Sequence, residues 1–268
     1  MVFTLTQEQV DQYNSQGFLV VRAAEHGLVT GKDLQLWAGQ VHAWPKEKGK
    51  WMPYDEINVN GERQLMRTEK FVDYHPAFDG LLRGDAIAEV LGRLAGVPMS
   101  LFKDKINYKS AWGNGFAAHL DAPAYDHIGE IEHLTANLAV DPATAENGCL
   151  QVVPGSHKMD VHFLTGGQIH PDWEHAHEWI SVPLEPADIL FFGSHLAHRS
   201  GPNKTPKPRA MVYATYAATA EGNLRDKYYE HRRATFPPDH EREPGMVMDW
   251  ERYGFAAPFA GSRPDVAV

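Results

Sequence analysis

The sequence predicts a mainly β fold with flanking helices, and three observations support this class. From residue 98 to residue 220, short runs of strand-forming residues are separated by turn residues, as in all-β cores. Before and after this stretch, helix start and stop signals dominate. An all-β unit of 268 residues can form one domain. We therefore expect a single domain over residues 1–268, with a helical part over 1–97, a β core over 98–220, and a helix with an irregular tail over 221–268.

The first helix is expected over Gln7–Ser15. Thr6 can cap its start, and Gln9 stands at the position that completes a capping box. Gly17 follows as a helix stop signal, and the apolar run over residues 18–22 then reads as a strand.

Two more helices are expected before the β core, over residues 32–44 and 86–95. Pro45 ends the first of these helices and Gly96 ends the second. The segment over residues 44–68 lacks a clear period, and we expect a long loop there that can serve as a lid.

The β core is expected to consist of short strands, and one further helix is expected over residues 223–235. The predicted strands span residues 100–103, 105–109, 116–120, 133–140, 149–153, 178–182, 189–192 and 210–219.

Composition indicates a soluble cytoplasmic protein. The formal net charge of −10 argues against a nucleic-acid-binding surface, which requires clustered Lys and Arg. No apolar run approaches the roughly 20 residues needed to span a bilayer, and the first residues lack the basic and apolar regions of a secretory leader. The single cysteine, Cys149, excludes an internal disulfide and is expected to be a buried packing residue in a reducing compartment.

The residues that carry most chemical information are His119, Asp121 and His198. Two imidazoles and one carboxylate can occupy one face of an octahedral Fe(II) ion and leave three positions open. Within a strand, residues i and i+2 point to the same side, so His119 and Asp121 can aim at one point. His198 is expected to supply the third ligand, and His195 is the alternative.

Four stretches of the chain resemble the phytanoyl-CoA dioxygenase family of Fe(II)- and 2-oxoglutarate-dependent oxygenases. The resemblance implies that the β core is a double-stranded β-helix, which is a jelly roll of cupin type. The matching stretches are Leu5–Val21, Ile106–Lys109 with His119–Asp121, Glu146–His157, and Asp188–Arg209. Within the third, Pro154–His157 is interpreted as a structural turn, and His157 is not expected to bind the metal.

The same resemblance implies the cofactors Fe(II), 2-oxoglutarate and O2, with succinate and CO2 as co-products. A chelated 2-oxoglutarate leaves its distal carboxylate inside the barrel, where a planar guanidinium is the best partner, and Arg209 is expected to supply it. By resemblance to ectoine hydroxylases, Asn107 and Thr135 would also contact 2-oxoglutarate. Lys109 shares a strand face with Asn107 and should point inward as well.

The substrate is expected to be a small polar metabolite, because the segments around the metal ligands resemble the small-molecule branch of the family. A zwitterion related to 2-aminoethylphosphonate or ectoine fits this branch. Phe116 would wall the iron pocket. Lys105, Tyr125, His195 and Arg199 are further candidates for substrate contact.

Three alternatives remain open at the level of sequence. The same oxygenase chemistry could act on a bulkier natural product or an acyl compound. A cupin-like zinc hydrolase or isomerase would use the same ligands, but it leaves Arg209 unexplained. A catalytically silent binding protein of the same fold would not need the intact set of His119, Asp121 and His198.

Overall fold

The computed structural model describes residues 3–129, 132–164, 167–254 and 256–260. Strands within this part of the chain form two antiparallel sheets. The strands are β1 (Phe18–Val21), β2 (Met52–Ile57), β3 (Arg63–Glu69), β4 (Met99–Lys109), β5 (Phe116–His119), β6 (Leu134–Ala139), β7 (Leu150–Val152), β8 (Ile180–Val182), β9 (Ile189–Gly193), β10 (His198–Ser200) and β11 (Arg209–Ala218).

The larger sheet has the strand order β1-β9-β6-β11-β4-β3-β2, and the smaller sheet has the order β5-β10-β7-β8. Apolar side chains from both sheets share one buried cluster, so the sheets face each other as in a jelly roll. Cys149 lies in this cluster and is 1% exposed, which confirms its expected packing role. The predicted double-stranded β-helix is therefore confirmed.

Helices flank the sheets at both ends of the sequence. They are α1 (Gln7–Gln16), α2 (Ala23–His26), α3 (Gly31–His42), α4 (Pro76–Leu82), α5 (Asp85–Ala95), α6 (Pro171–Ala176), α7 (Leu224–Thr235) and α8 (Trp250–Tyr253). The capping box of α1 is present, because Thr6 Oγ1 accepts from the Gln9 backbone and Gln9 Oε1 accepts from the Thr6 backbone. Gly17 ends α1 in the left-handed conformation with φ of 81°.

The expected lid loop over residues 44–68 is wrong, because β2 and most of β3 lie within it. Pro53 is compatible with β2 since this strand lies at the edge of the larger sheet. The strand signal is weak because buried charged residues, including Glu56, Arg67 and Glu69, take positions that apolar residues usually occupy. Tertiary pairing of these charges overrides their low strand propensity.

The two strands predicted over residues 100–109 are one continuous strand, β4. Asp104 does not interrupt it, because its carboxylate accepts from the backbone N–H groups of Phe71 and Val72. It also forms an ion pair with Arg225 at 2.6 Å. One face of β4 packs its apolar side chains into the main core, and the opposite face presents polar side chains to the barrel interior.

The described residues contain no helix that is long and apolar enough to cross a membrane. The C-terminal segment, expected to be irregular, forms the short helix α8 and then packs onto the edge strand β2, where the Ala260 backbone N–H donates to the Asp55 carbonyl at 2.7 Å. This segment covers one rim of the barrel interior.

Candidate functional site

The barrel interior brings His119, Asp121 and His198 together. His119 ends β5 and His198 begins β10, and the two residues are direct partners in the ladder of the smaller sheet. One ligand atom from each of the three side chains lies within 4.8 Å of the others. The Nε2 atoms of His119 and His198 lie 3.7 and 3.9 Å from the Asp121 carboxylate. One metal ion can therefore be bound by all three.

Both imidazoles are oriented by the backbone. His119 Nδ1 lies 2.7 Å from the Ala117 carbonyl, and His198 Nδ1 lies 2.9 Å from the Leu196 carbonyl. Each Nδ1 donates as N–H, which directs Nε2 at the shared point. Burial and the neighbouring His198 lower the pKa of His119 to about 3, so it is neutral at pH 7. Two imidazoles with one carboxylate fit Fe(II).

Asp121 reaches the site by a different route from the one expected. It lies beyond the end of β5 with φ of −78° and ψ of −35°, so the i and i+2 rule for strands does not place it. The chain turns there because the backbone N–H groups of Asp121 and Ala122 both donate to the Ser194 carbonyl. Burial raises the pKa of the Asp121 carboxyl, but His198 and Lys105 lower it more, and the net shift is downward.

His195 is not brought to this site. Its Nε2 lies 3.5 Å from the Glu132 carboxylate, and its side chain is 47% exposed. It lines a separate surface depression with Tyr13 and His133. The geometry thus selects His198 over His195 as the third ligand.

The Pro154–His157 turn supports the metal site from outside. Ser156 Oγ accepts from the backbone N–H of Ala197, the residue before His198, at 2.9 Å. The His157 ring packs against Gly17, where any Cβ would lie 2.4 Å from its Nδ1. The contacts of Ser156 and His157 therefore agree with the interpretation of Pro154–His157 as a structural turn.

The pocket that contains the triad is strongly cationic. Among its described lining residues Asp121 is the single acid, whereas the basic ones are Arg67, Lys103, Lys105, Arg199, Arg232 and Arg252. Two of these cations are neutralised locally, because Arg199 pairs with Glu174 at 2.5 Å and Arg252 pairs with Asp126 and Asp249. The positive surplus therefore comes from Arg67, Arg232 and Lys103, and Lys105 lies beside them.

A single carboxylate holds the two buried arginines. Glu69 Oε1 lies 3.2 Å from Arg67 Nη1 and 3.0 Å from Arg232 Nη2, and Glu69 is fully buried. Burial raises the pKa of Glu69, but Arg232, Lys103 and Arg67 together lower it to about 2. Glu69 is therefore ionised, and this trio carries a net charge of +1.

Two lysines on the inner face of β4, Lys103 and Lys105, lie in the same pocket as this trio. Lys103 Nζ donates to the Tyr125 hydroxyl at 3.2 Å, and burial lowers the pKa of Lys103 to about 8. Lys105 Nζ lies 4.9 Å from the centroid of the Tyr213 ring, and burial lowers its pKa well below the usual value. A bound anion would raise the pKa of both lysines, since a nearby negative charge favours their protonated forms.

Arg209 and Lys109 form a second basic group at the far end of β4 and β11, where burial and the neighbouring Arg209 lower the pKa of Lys109 to about 6. The two residues are ladder partners. Arg209 donates to the carbonyls of Asn147 and Gly148, and Lys109 Nζ lies 3.0 Å from Ser200 Oγ. Arg209 has no acidic side chain within ion-pair distance in the described part of the chain, although it is 5% exposed.

The remaining predicted site residues divide into two groups. Phe116 and Asn107 line the pocket, and Asn107 Oδ1 accepts from Arg67 Nε at 2.9 Å. Thr135, Arg209 and Lys109 are not among the residues that line it, and the Thr135 hydroxyl is bonded to the Thr215 hydroxyl at 3.0 Å.

The pocket residues that sequence reasoning missed include Arg67, Lys103, Ser200 and Arg232. A signal for Lys103 existed, because Lys103, Lys105, Asn107 and Lys109 alternate on one face of β4. Arg67 lies in the segment interpreted as a loop, and Arg232 is one of several charged residues on a polar helix.

The chain matches a known protein family and several characterised enzymes. The family model described as phytanoyl-CoA dioxygenase (PhyH) matches residues 13–211. The methylphosphonate hydroxylase of Gimesia maris is 40% identical over 87% of this chain and 88% of its own. The dioxygenase lolE1 of Epichloe uncinata is 40% identical over 88% of this chain and 92% of its own. The 2-aminoethylphosphonate dioxygenase of an uncultured bacterium is 34% identical over 90% of this chain and 92% of its own.

A solved structure shows the same fold at lower identity. EctD from S. alaskensis, crystallised with 2-oxoglutarate and 5-hydroxyectoine, superimposes with a TM-score of 0.68 at 23% identity. The match covers 81% of this chain and 77% of that one. From the family match, the three relatives and the shared jelly roll, we conclude that the chain belongs to the phytanoyl-CoA dioxygenase family.

Proposed function

We propose that the substrate of this Fe(II)- and 2-oxoglutarate-dependent dioxygenase is a small phosphonate, which it hydroxylates. The observation that carries the substrate assignment is the surplus of buried cations beside the metal triad. Glu69 neutralises one of the two arginines it holds, and Lys103 and Lys105 have no carboxylate within ion-pair distance among the described residues. Buried charges require partners, so ligands that fill this pocket should be anionic.

The triad supplies the metal site that this chemistry requires. His119, Asp121 and His198 would hold Fe(II) on one face and leave the opposite positions for 2-oxoglutarate and O2. The bound iron, with these two co-substrates, supplies the oxidising chemistry that inserts oxygen and releases succinate and CO2. The protein's own tasks are to orient the substrate and to exclude water from the pocket.

We assign the 2-oxoglutarate anchor to Arg209, with Lys109 and Ser200 beside it. Burial lowers the pKa of Arg209, as expected for a guanidinium that lacks an anionic partner. A carboxylate is the ligand group that a planar fork of donors binds best. Asn107 lines the pocket that contains the triad, lies two residues before Lys109 on β4, and remains a proposed contact of 2-oxoglutarate. Thr135 also remains a proposed contact, because its hydroxyl keeps further hydrogen-bonding capacity beside its one bond to Thr215.

Two of the relatives support the phosphonate assignment. One is named as a methylphosphonate hydroxylase and one as a 2-aminoethylphosphonate dioxygenase, and both align with most of this chain. We also propose a cytoplasmic location, because the one cysteine is buried and unpaired.

A substrate panel tests the proposal. Succinate formation from 2-oxoglutarate would be measured after Fe(II) loading, with methylphosphonate, 2-aminoethylphosphonate, ectoine, a fatty acyl-CoA and a bulky apolar amine. We expect strong stimulation by at least one phosphonate. Strong coupling to the acyl-CoA or the apolar amine alone would contradict the substrate assignment and leave the iron site unchanged.

A further inference from the structure

One wall of the pocket contains buried hydrogen-bond donors that the protein does not satisfy. Arg232 is 1% exposed and lines the pocket, yet its Nε and Nη1 atoms have no hydrogen-bond partner among the described residues. Arg67 uses Nε for Asn107 and Nη1 for Glu69, and no bond within the described residues engages its Nη2. Buried donors are almost always paired in folded proteins. Acceptor atoms of a ligand would pair these donors.

The two guanidinium groups are held rigidly. The Arg232 guanidinium lies 4.3 Å from the Tyr253 ring centroid and 4.9 Å from that of Tyr54. The Arg67 guanidinium lies 5.5 Å from the Phe116 centroid. Together with the shared carboxylate of Glu69, these contacts fix both groups before a ligand arrives. A receptor organised in advance loses little side-chain entropy on binding.

Lys103 contributes a third cation to the same wall. It shares the pocket with Arg67 and Arg232. Burial lowers its pKa, and the nearby carboxylate of Glu69 offsets part of that shift. Lys103 donates one hydrogen bond, to the Tyr125 hydroxyl, so two of its three N–H groups have no acceptor within the described part of the chain and can bind a ligand.

We propose that Arg67, Lys103 and Arg232 form the receptor for the phosphonate head group of the substrate. This inference rests on the proposed function and adds the residues that recognise the substrate. A phosphonate presents three oxygen atoms and up to two negative charges, which suits three converging cationic donors. The receptor has a net charge of +2 when Glu69 is included.

The receptor is distinct from the anchor proposed for 2-oxoglutarate. Lys103 pairs with Thr215 in the ladder of β4 and β11, whereas Lys109 pairs with Arg209. Six residues separate the two lysines, which is about 20 Å along a strand. The two lysines therefore lie at different places on β4, Lys103 near its middle and Lys109 at its end, and each anion site can hold one of the two anionic ligands.

Substitution of Lys103 by Met tests the receptor. Met keeps the length and removes the charge, so we expect the protein to fold and the affinity for methylphosphonate to fall at least about tenfold, as for one lost charge-assisted hydrogen bond. The measurement is titration calorimetry of methylphosphonate into metal-free protein. Lys103→Arg should retain part of the affinity. Lys32→Met, an exposed position on α3, is the matched control and should bind like the wild type.

A second variant, Arg67→Met, covers the guanidinium part of the receptor, and it should weaken methylphosphonate binding by a similar factor. The KM for 2-oxoglutarate should change less than about twofold in Lys103→Met, whereas Arg67→Met also removes the bond to Asn107 and is read through methylphosphonate binding alone. Unchanged methylphosphonate affinity in both Lys103→Met and Arg67→Met would contradict the assignment of the receptor. A rise in the KM for 2-oxoglutarate without any loss of methylphosphonate affinity would contradict it as well. Binding without turnover in the wild type would refute the proposed function and keep the receptor, so the two failures are distinguishable.

Discussion

At the scale of single residues, the metal ligands were the feature that the sequence predicted best. The ligand types and their order along the chain predicted His119, Asp121 and His198. The choice between His195 and His198 required the structure, because only the turn after β9 decides which imidazole faces inward. The route by which Asp121 enters the site could not be predicted, since it depends on hydrogen bonds to Ser194, a residue distant in sequence.

Replacing His198 by Ala should weaken Fe(II) binding by more than about 100-fold, because losing a partner that merely orients a ligand already costs 10–100-fold. Fe(II) titration of the apoprotein measures this. His195→Ala is the matched control and should bind iron like the wild type, since its side chain pairs with Glu132 outside the pocket. Loss of iron binding in His195→Ala with retention in His198→Ala would reverse the assignment.

Replacing Arg209 by Met should weaken 2-oxoglutarate binding by roughly 3–5 kcal/mol, because a buried carboxylate would lose its charged partner. The 2-oxoglutarate affinity of Arg209→Lys should lie between those of the wild type and Arg209→Met, since an ammonium group keeps the charge but cannot make the bidentate contact. The Kd for 2-oxoglutarate provides the measurement, with the exposed Arg93→Met on α5 as control. An unchanged Kd in Arg209→Met would place the anchor elsewhere.

The buried ammonium group of Lys103, which is proposed to bind the phosphonate, should lower the free energy of unfolding of the ligand-free protein. Burial lowers its pKa in the folded protein from 10.5 to about 8, so below pH 8 the fold carries a buried ammonium. At pH 7, Lys103→Met should raise the free energy of unfolding of the ligand-free protein by up to about 3 kcal/mol. The wild type should regain stability as pH rises from 8 to 10.5. Urea unfolding across this range measures both effects, and a less stable Lys103→Met at pH 7 would contradict them.

At the scale of elements, the edge hairpin of β2 and β3 was the part that sequence reasoning missed. Helix caps could be predicted, because Thr6, Gly17 and Gly96 act through local backbone geometry. The hairpin could not, because the buried Glu69 at the end of β3 is stable only when Arg67 and Arg232 pair with it. Arg232 comes from α7, more than 160 residues later, and this pairing leaves no local pattern.

Replacing Glu69 by Gln should therefore destabilise the joint between β3 and α7. The folded pKa of Glu69 is about 2 against 4.5 for the unfolded chain, so ionised Glu69 contributes stability above pH 4.5 and loses it as pH falls toward 2. This contribution is about 3 kcal/mol. Glu69→Gln should lower the free energy of unfolding by that amount at pH 7 and flatten its decline between pH 4.5 and 2. The exposed Glu89→Gln on α5 should behave like the wild type.

At the scale of the whole molecule, the charge distribution separates the surface from the site. The protein carries a formal net charge of −10, yet its barrel interior has a cationic surplus beside the metal ligands. An apolar cluster fills one part of the space between the two sheets. The other part is the metal pocket, which the polar face of β4 lines. The fold was predictable from the family resemblance, whereas this charge pattern emerged only when distant residues met in the pocket.

The most direct test of the account is phosphorus NMR of the complete reaction with methylphosphonate, Fe(II), 2-oxoglutarate and O2. The account predicts a new phosphonate resonance for the hydroxylated product, appearing in about equal amount to the succinate released, because coupled turnover consumes one 2-oxoglutarate per substrate. The same reaction with Lys103→Met should give little product at low methylphosphonate. Succinate release without any new phosphonate resonance, for both methylphosphonate and 2-aminoethylphosphonate, would contradict the central claim.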